Sequence, residues 1–298
     1  MYYHPKNIKE NSMITVTLMG GLGNQMFQYA YARSLALDLN TDISFDISFF
    51  EKRKERDLSL LKFKLVPTIR FNKIPSKELN KGFFLDRFSR IHAAKTMLKK
   101  QFLFWPTMQP YPLDFRLDGK KDIKLYGYWQ GASLIDHHKT EISKELRVMS
   151  ELSSDDEKLI SKMQNENSVC VHIRRGDYVS CDWLVCDKEY YETASRMLAE
   201  KLKKPTFYIF SDDPDWVKGN IHFPEGNEII YADDGKHMDY EIMRLMYSCN
   251  HFIISNSTFS WWAQYLTKNE DKIVIAPKRW MNDDLNYDFM YSDDWITI

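Results

Sequence analysis

Apolar, β-branched segments alternate with helical patterns through the second half of the chain, and this alternation restricts the possible folds more than any other feature. Strands are predicted at residues 169–173, 206–210, 229–231, 252–255 and 273–276, and helices at 188–203, 240–249 and 260–266. Strands that alternate with helices predict an α/β fold in which helices cover both faces of a parallel sheet. Ligands of such sheets bind at the carboxyl ends of the strands.

The first half of the chain starts with the same kind of unit. A short strand at 14–18 runs into a glycine loop at 20–24, after which apolar residues recur at helical spacing. Further strands are predicted at 42–46 and 123–129, and a helix is predicted at 133–149. Residues 49–104 show only weak periodicity, so we assign no elements there.

A polar stretch at residues 150–168 separates the two halves. It contains Ser154-Asp-Asp-Glu157, a capping-box pattern that predicts the start of a helix. This helix and the polar turn after it form the natural boundary, so we predict two domains, at 1–165 and 166–298.

Composition excludes several classes of protein. The 41 basic and 42 acidic residues nearly cancel, so the net charge gives no sign of a nucleic-acid partner. The first thirteen residues lack the apolar core of a secretory signal, and no apolar run is long enough for an integral membrane segment. The four cysteines lack metal-ligand spacing. We therefore expect a cytoplasmic protein, with peripheral contact to the inner membrane face left open.

The strand at 169–173 ends in a cluster of charged side chains. His172, Arg174, Arg175 and Asp177 all lie within six residues. Arginine suits phosphate because its planar fork donates two parallel hydrogen bonds and stays charged. The cluster predicts an anion-binding site, although a surface ion pair at the end of the strand is the plainer alternative.

The strand at 206–210 is followed by Ser211, Asp212, Asp213, Pro214 and Asp215. Two carboxylates at this spacing are compatible with Mg²⁺ or Mn²⁺. The same residues are equally typical of a turn and a helix start, with proline at the first helical position. We favour the turn.

Three further segments at predicted strand ends allow two interpretations each. The glycine loop lacks the dinucleotide-binding pattern, and it forms either an anion site at a helix start or a tight turn. The hydroxyl-rich segment Asn256–Ser260 either caps a helix or binds phosphate. The aromatic pair Tyr128 and Trp129 either packs in the core or stacks on a sugar.

Together, four motifs in this order resemble the bacterial α-1,2-fucosyltransferases. They are Gly20 to Gln28, His172 to Asp177, Phe210 to Asp213 and Asn256 to Trp262. The His-x-Arg-Arg-x-Asp stretch is also similar to one in α-1,6- and protein O-fucosyltransferases. The resemblance covers residues 14 to about 280 and also includes Tyr126 to Gln130 and Glu189 to Tyr191.

The resemblance implies a GT-B type glycosyltransferase with two Rossmann-like domains facing a cleft. Its N-terminal domain would bind mainly the acceptor, and its C-terminal domain would bind GDP-fucose. The implied reaction transfers L-fucose with inversion to the 2-hydroxyl of a galactose in a surface polysaccharide or O-antigen glycan. The acceptor could be lipid-linked. No metal or other cofactor is implied, because protein groups would neutralise the leaving diphosphate.

The resemblance also implies roles for individual residues. Arg174 would bind and stabilise the β-phosphate, His172 would contact the nucleotide, and Asp177 would act as the base or orient Arg174. The implied donor-binding residues are Gly23, Asn24, Gln25, Arg175, Ser211, Asp212, Glu241, Asn256, Ser257, Thr258 and Phe259. Glu241 would contact guanine, although it is offset by one residue from the acid of the relatives. Tyr128 and Trp129 would bind the acceptor.

Three other functions remain open from the sequence. The first is a fucosyltransferase of another linkage, such as α-1,6. The second is a catalytically silent protein that binds nucleotide sugars or glycans, since a fold and a pocket do not prove turnover. The third is a metal-dependent transferase that uses Asp213 and Asp215.

Overall fold

The computed structural model describes residues 13–52, 56–66, 70–72, 102–105, 122–181, 183, 185–233 and 235–298. The chain has an α/β fold with two parallel sheets. It divides into two compact units, Met1–Leu146 and Arg147–Ile298. Most of residues 49–104, where the sequence predicts no element, lies outside the described residues.

The first unit contains a five-stranded parallel sheet. Its strands are β1 (Met13–Thr17), β2 (Asp42–Asp46), β3 (Arg70–Asn72), β4 (Phe102–Trp105) and β5 (Asp122–Gly127), in the order β3-β2-β1-β5-β4. The described α-helices of this unit are α1 (Leu22–Leu39), α2 (Ser48–Lys52) and α3 (Lys139–Glu145). The apolar side chains of β1 and β2 are buried in this sheet, which explains their β-branched and aromatic composition.

The predicted helix at 133–149 is wrong. The structure has two short 3-10 turns, Ala132–Leu134 and Asp136–His138, and then α3. The backbone leaves helical geometry at Ile135 (φ −132°, ψ −15°). The apolar side chains are nevertheless buried from separate turns: Ile135 lies between the two 3-10 turns and Ile142 lies in α3, and both are fully buried.

The second unit contains a six-stranded parallel sheet. Its strands are β6 (Ser168–Ile173), β7 (Thr206–Ser211), β8 (Glu228–Tyr231), β9 (His251–Ile253), β10 (Val274–Ala276) and β11 (Ile296–Thr297). In the order β11-β10-β9-β6-β7-β8, the two strands that follow β6 in the chain lie on one side of it, and the last three strands lie on the other side. This is the doubly wound Rossmann order, and its topological switch point lies between β6 and β9.

The described residues of this unit also form six α-helices. They are α4 (Ser154–Asn165), α5 (Gly176–Ser180), α6 (Lys188–Lys201), α7 (Pro214–Asn220), α8 (Asp239–Met246) and α9 (Thr258–Leu266). The predicted ends of these elements differ from the observed ends by up to three residues, as at the end of α8. The cap of α4 is Ser153, not the predicted Ser154, because the side chain of Ser153 accepts the N–H of Asp156.

The core of the second unit lies between β6, β7 and the helices beside them. All six residues of β6 and all six of β7 are buried. Val169, Val171, Phe207 and Ile209 pack there against apolar side chains from α6 and α7. A buried central strand holds its carboxyl end rigidly, and the charged cluster follows at that end. Among the described residues, no helix is long and apolar enough to cross a membrane.

Candidate active site

The charged cluster, the aspartate turn (residues 211–215) and the hydroxyl-rich segment follow three adjacent strands of the second unit. Strand β6 pairs in parallel with β7 on one side, where Ile173 lies opposite Ser211, and with β9 on the other. The carboxyl ends of parallel strands meet at one edge of a sheet. The three motifs therefore lie together at the topological switch point.

Arg174 is held between two carboxylates. Its Nη2 lies 2.6 Å from Oδ1 of Asp177, and its Nη1 lies 2.6 Å from Oδ2 of Asp212. Because two partners hold the guanidinium group of Arg174, the side chain has already lost most of its rotational freedom. Little further conformational entropy is lost when a ligand binds. The guanidinium has five N–H donors, and it keeps donors for an anion beyond these two contacts. The arrangement positions a permanent positive charge at the strand end.

Gly176 leaves room for the close approach of Asp212. A Cβ atom at this position would lie 2.7 Å from Oδ2 of Asp212, which is closer than real Cβ contacts. The backbone N–H of Arg175 also donates to Oδ1 of Asp212 at 2.8 Å. The space beside this glycine is therefore occupied by a carboxylate.

Arg175 faces a different set of partners from Arg174. Its Nε donates to Oδ2 of Asp213 at 3.1 Å, and its guanidinium carbon lies 3.6 Å from the ring centroid of Trp216. Stacking on the indole face together with the ion pair anchors this arginine to the start of α7. Oδ1 of Asp213 accepts the N–H of Trp216 and caps the same helix. The aspartate turn thus acts as the helix start that the sequence favoured.

His172 is a buried, neutral histidine. It lies at the end of β6 with 7% of its surface exposed, and its Nδ1 is 2.8 Å from Oγ of Ser255. Burial, and then the positive charge of Arg174, lowers the pKa of His172 from 6.5 to about 3. The ring is therefore uncharged at neutral pH, and it contributes a directed hydrogen bond instead of a second positive charge.

The low pKa of His172 makes stability depend on pH. The unfolded chain binds more protons than the folded chain between about pH 3 and 6.5, so stability falls as pH falls through that window. His172→Gln removes this titration. Between pH 7 and 5 we expect this variant to lose about 2 kcal/mol less stability than the wild type.

Urea unfolding at both pH values measures this difference. The matched control is His222→Gln, because the side chain of His222 is 77% exposed. The control is expected to follow the wild type closely. Equal pH slopes for His172→Gln and the wild type would show that His172 is not buried in its neutral form.

The hydroxyl-rich segment forms the start of helix α9. Ser257 is the N-cap, and its Oγ accepts the N–H of Phe259 at 3.3 Å. Thr258 and Phe259 occupy the first turn and are partly exposed, and the Phe259 ring lies 5.7 Å from that of His172. The free N–H groups of a first turn favour anions. The segment is a cap, and its first turn lies beside His172.

Asn256 serves as a structural clamp. Its Nδ2 donates to the backbone carbonyls of Trp183 at 2.8 Å and of Trp280 at 2.9 Å, and the residue is 3% exposed. Its own carbonyl accepts the Tyr178 hydroxyl at 3.2 Å. Asn256 therefore joins three segments around the charged cluster. A buried amide with two carbonyl partners has no donor left for a ligand.

Two aromatic residues near the cluster were not singled out from the sequence. The Tyr178 ring lies 5.7 Å from the guanidinium carbon of Arg174, and it meets the Trp183 ring edge-on at 5.8 Å. Trp183 is 42% exposed, unlike the other large aromatics of the core. No signal in the sequence indicated them, because the exposure of Trp183 is visible only in the fold.

Ser211 and Glu241, both expected to bind the donor, make local contacts. Ser211 is buried, and its Oγ accepts the N–H of Asp213 at 3.1 Å. Glu241 lies in the first turn of α8, where its carboxylate accepts the N–H of Met238 at 2.9 Å. Glu241 is partly exposed and can also meet a ligand. The structure thus places Ser211 at the cluster and Glu241 on a separate helix start.

In the first unit, the glycine loop is a tight turn at the start of α1. Gly20 has a φ of 81°, and a Cβ there would lie 2.9 Å from Nδ2 of Asn24. Gln25 is buried, and its amide bonds the carbonyls of Gly20 and Asp57 and the N–H of Leu60. Gly23 is buried in the first turn of α1. Glycine is thus required at position 20, and Gln25 holds the loop in place.

The aromatic pair splits into two environments. The predicted strand to Trp129 ends at Gly127, where Gln28 donates to the carbonyl. Trp129 is fully buried and stacks on Tyr31 with ring centroids 4.8 Å apart. Tyr128 is partly exposed and lies against Gly20. The structure therefore places Trp129 in the core and leaves Tyr128 accessible.

The sequence comparison decides the family. The family model for glycosyl transferase family 11 matches residues 1–298. The chain belongs to glycosyl transferase family 11. This is a family of α-1,2-fucosyltransferases, so the resemblance inferred from the four motifs is confirmed.

Several characterised proteins are similar to this member of family 11. It is 29% identical over 300 residues to the O-antigen biosynthesis glycosyltransferase WbnK of Escherichia coli, covering 94% of this chain and 99% of the relative. It is 27% identical over 315 residues to an alpha-1,2-colitosyltransferase of Escherichia coli, covering 96% and 99%. It is 28% identical over 306 residues to a galactoside 2-alpha-L-fucosyltransferase of Caenorhabditis elegans, covering 94% and 76%.

Solved structures confirm the fold. Fucosyltransferase NodZ from Bradyrhizobium superposes with a TM-score of 0.55 at 12% identity, covering 87% of this chain and 94% of NodZ. A mutant of Arabidopsis thaliana FUT1 in complex with GDP superposes with a TM-score of 0.57 at 13% identity, covering 94% and 74%. The predicted α/β fold of the GT-B type is therefore confirmed. At such low identity, these likenesses concern the fold alone.

Proposed function

We propose that this glycosyltransferase transfers L-fucose from GDP-fucose to the 2-hydroxyl of a galactose residue in a surface glycan. The observation that carries the proposal is Arg174, which two carboxylates hold at the switch point of a doubly wound sheet. The start of α9 lies beside the same cluster and adds N–H groups that favour a diphosphate. Membership in family 11 supports fucose as the sugar and the 2-hydroxyl as its target.

The proposed reaction is an inverting displacement at C1 of fucose. The bond between C1 and the β-phosphate oxygen breaks as the acceptor oxygen bonds to C1. Negative charge then develops on the leaving diphosphate, and Arg174 stabilises it without a metal ion or other cofactor. The proton of the acceptor hydroxyl passes to a carboxylate, for which Asp177 is our candidate.

The side chain of Asp177 has two possible roles in this proposal. Its carboxylate is 35% exposed, so an acceptor hydroxyl can reach it, and it also contacts Arg174 at 2.6 Å. Fucose readily develops oxocarbenium character in the transition state, so the reaction needs no strong base, and orienting Arg174 is the larger contribution of Asp177.

We assign the donor to the second unit and the acceptor mainly to the first. The second unit contains Arg174, His172 and the start of α9, whereas the first contains the accessible Tyr128. The names of WbnK and of the Caenorhabditis elegans relative support an O-antigen glycan and a galactoside, respectively, as the acceptor class. The Arabidopsis FUT1 structure, which shares this fold, contains GDP, and the donor that we propose for this chain is likewise a GDP sugar.

The name of one relative supports a second candidate for the donor sugar. The similar protein named alpha-1,2-colitosyltransferase covers 96% of this chain at 27% identity. Colitose resembles fucose but lacks one ring hydroxyl, so the same diphosphate contacts serve both donors. GDP-colitose is therefore the alternative substrate to test against GDP-fucose.

The test measures product mass and GDP release with GDP-fucose, GDP-colitose and GDP-mannose, each offered with a panel of β-galactosides. EDTA is present throughout. We expect a product that is heavier by one deoxyhexose, from GDP-fucose, at an undiminished rate in EDTA. If transfer occurs only from GDP-colitose, the donor is GDP-colitose and not GDP-fucose. If transfer occurs only when Mn²⁺ is added in excess of EDTA, the reaction depends on a metal ion.

Nucleotide binding separates the enzyme from a silent binding protein. GDP-fucose that binds without transfer to any galactoside, and without slow hydrolysis to GDP, would favour the binding protein. If GDP-fucose neither binds nor turns over, the proposed function is wrong.

A further inference from the structure

Three metal-binding side chains converge at the end of α1, in the first unit. Asp38 lies in the last turn of this helix, and His137 and His138 lie in the 3-10 turn before α3. Nε2 of His137 is 3.0 Å from one carboxylate oxygen of Asp38, and Nε2 of His138 is 2.9 Å from the other. The three ligand atoms all lie within 4.8 Å of one another.

We propose that Asp38, His137 and His138 form a binding site for one divalent transition metal ion, and Zn²⁺ is the ion with which we test it. Imidazole nitrogen suits zinc, copper and nickel, whereas magnesium and calcium take oxygen ligands. Two histidines and one carboxylate are a common zinc ligand set, in which water fills the fourth position.

The two histidines are already arranged as a pair. They are consecutive residues in a tight turn, their ring centroids are 4.5 Å apart, and both present Nε2 to the same carboxylate. The side chains are 22–31% exposed. The ligand atoms are therefore close together, and an ion and its water can reach them from solvent.

The elements that carry the ligands are joined by other contacts. Glu145 in α3 accepts the hydroxyl of Tyr29 at 2.6 Å and pairs with Arg33 at 2.9 Å, and both partners lie on α1. These bonds fix α3 and the turn before it against α1 without the metal. A site on fixed elements needs little rearrangement to bind an ion.

The same atoms make hydrogen bonds when no ion is bound. Oγ of Ser34 lies 3.1 Å from Nε2 of His137 and donates to the carbonyl of Leu134. To bind an ion, each imidazole must be neutral with its proton on Nδ1, so the Nε2 hydrogen bonds to Asp38 are exchanged for metal bonds. The carboxylate that now accepts both bonds becomes the third ligand.

This site differs from the donor site in its residues and in its role. Asn24 and Asp38 are both on α1, and their positions differ by fourteen residues, which is about 21 Å along the helix axis. An ion at Asp38 would link the end of α1 to the turn before α3 and would stabilise the first unit. Transfer that is insensitive to EDTA is therefore compatible with zinc binding.

The test uses the full chain after removal of metal by a chelator. Isothermal titration with Zn²⁺ and thermal unfolding are measured for the wild type, Asp38→Asn, His138→Gln and the control His222→Gln. The control removes an exposed histidine that pairs with Glu192 in the second unit. We expect one Zn²⁺ per chain and a higher melting temperature with Zn²⁺ for wild type and control, and no effect of Mg²⁺.

In Asp38→Asn and His138→Gln, Zn²⁺ affinity should fall at least about tenfold, since loss of even an outer-shell partner costs ~10–100-fold. Equal affinity in all four proteins would assign the zinc to other residues and overturn the proposal. Absence of saturable binding would overturn it as well. Visible absorption of Co²⁺ in the wild type gives an independent check, because tetrahedral nitrogen and oxygen coordination produces bands that hydrated Co²⁺ lacks.

Discussion

Replacing Arg174 with alanine is expected to lower kcat by about 10²–10³-fold, because loss of one preorganised donor to a developing oxyanion has that cost. The guanidinium is oriented by Asp177 and Asp212 at 2.6 Å each, so it needs no reorganisation when charge develops. The variant also leaves two carboxylates without their shared cation. Steady-state kinetics with GDP-fucose and a β-galactoside measures the effect, and circular dichroism checks the fold.

Arg174→Lys distinguishes geometry from charge. Lysine keeps the positive charge but cannot span two carboxylates and a phosphate with one ammonium group. We expect it to recover little of the lost kcat. The matched control is Arg196→Ala, which removes an exposed arginine of α6 that bonds Thr193. If Arg174→Ala and the control show the same kcat, Arg174 is not the group that stabilises the leaving diphosphate.

Replacing Asn256 with alanine is expected to lower the free energy of unfolding by about 2–4 kcal/mol, since one buried and one partly buried carbonyl lose their donor. These are the carbonyls of Trp183 and Trp280, at 2.8 and 2.9 Å from Nδ2. Asn256→Asp should be no better, because an ionised carboxylate cannot donate to either carbonyl. Urea unfolding monitored by tryptophan fluorescence measures both variants.

The control for this experiment is Asn165→Ala. Asn165 also donates its amide to a carbonyl, that of Ser161, but in an exposed position at the end of α4. We expect its loss to change stability little. If Asn256→Ala keeps wild-type stability and instead loses affinity for GDP-fucose, Asn256 is a ligand contact and the clamp is the wrong interpretation.

The sequence was sufficient for the parts of the fold that depend on local pattern. Strands β6 and β7 are fully buried, and continuous apolar runs predict such strands well. Alternation with helices then gave the parallel sheet and placed the motifs at its carboxyl edge. The wrong predictions concern segments with weak hydrophobic periodicity. In residues 133–149, short turns bury apolar side chains at the same spacing as a single helix would.

The contacts of the candidate site were less predictable. Asp212 follows β7, yet it pairs with Arg174 after β6, and this contact depends on the register between the two strands. Asn256 has an amide side chain of the kind that often binds ligands. The carbonyls that it binds instead belong to residues distant in sequence. Whether an amide faces a ligand or a carbonyl is decided by tertiary packing, which a local pattern does not contain.

The central claim is the transfer of fucose to a galactose 2-hydroxyl, and NMR of the purified product tests it most directly. The product is made from GDP-fucose and a methyl β-galactoside, and the spectra assign the anomeric configuration and the linked position. Our account predicts a single α-linked fucose on oxygen 2 of galactose. A β-linked product or attachment at another oxygen would contradict it.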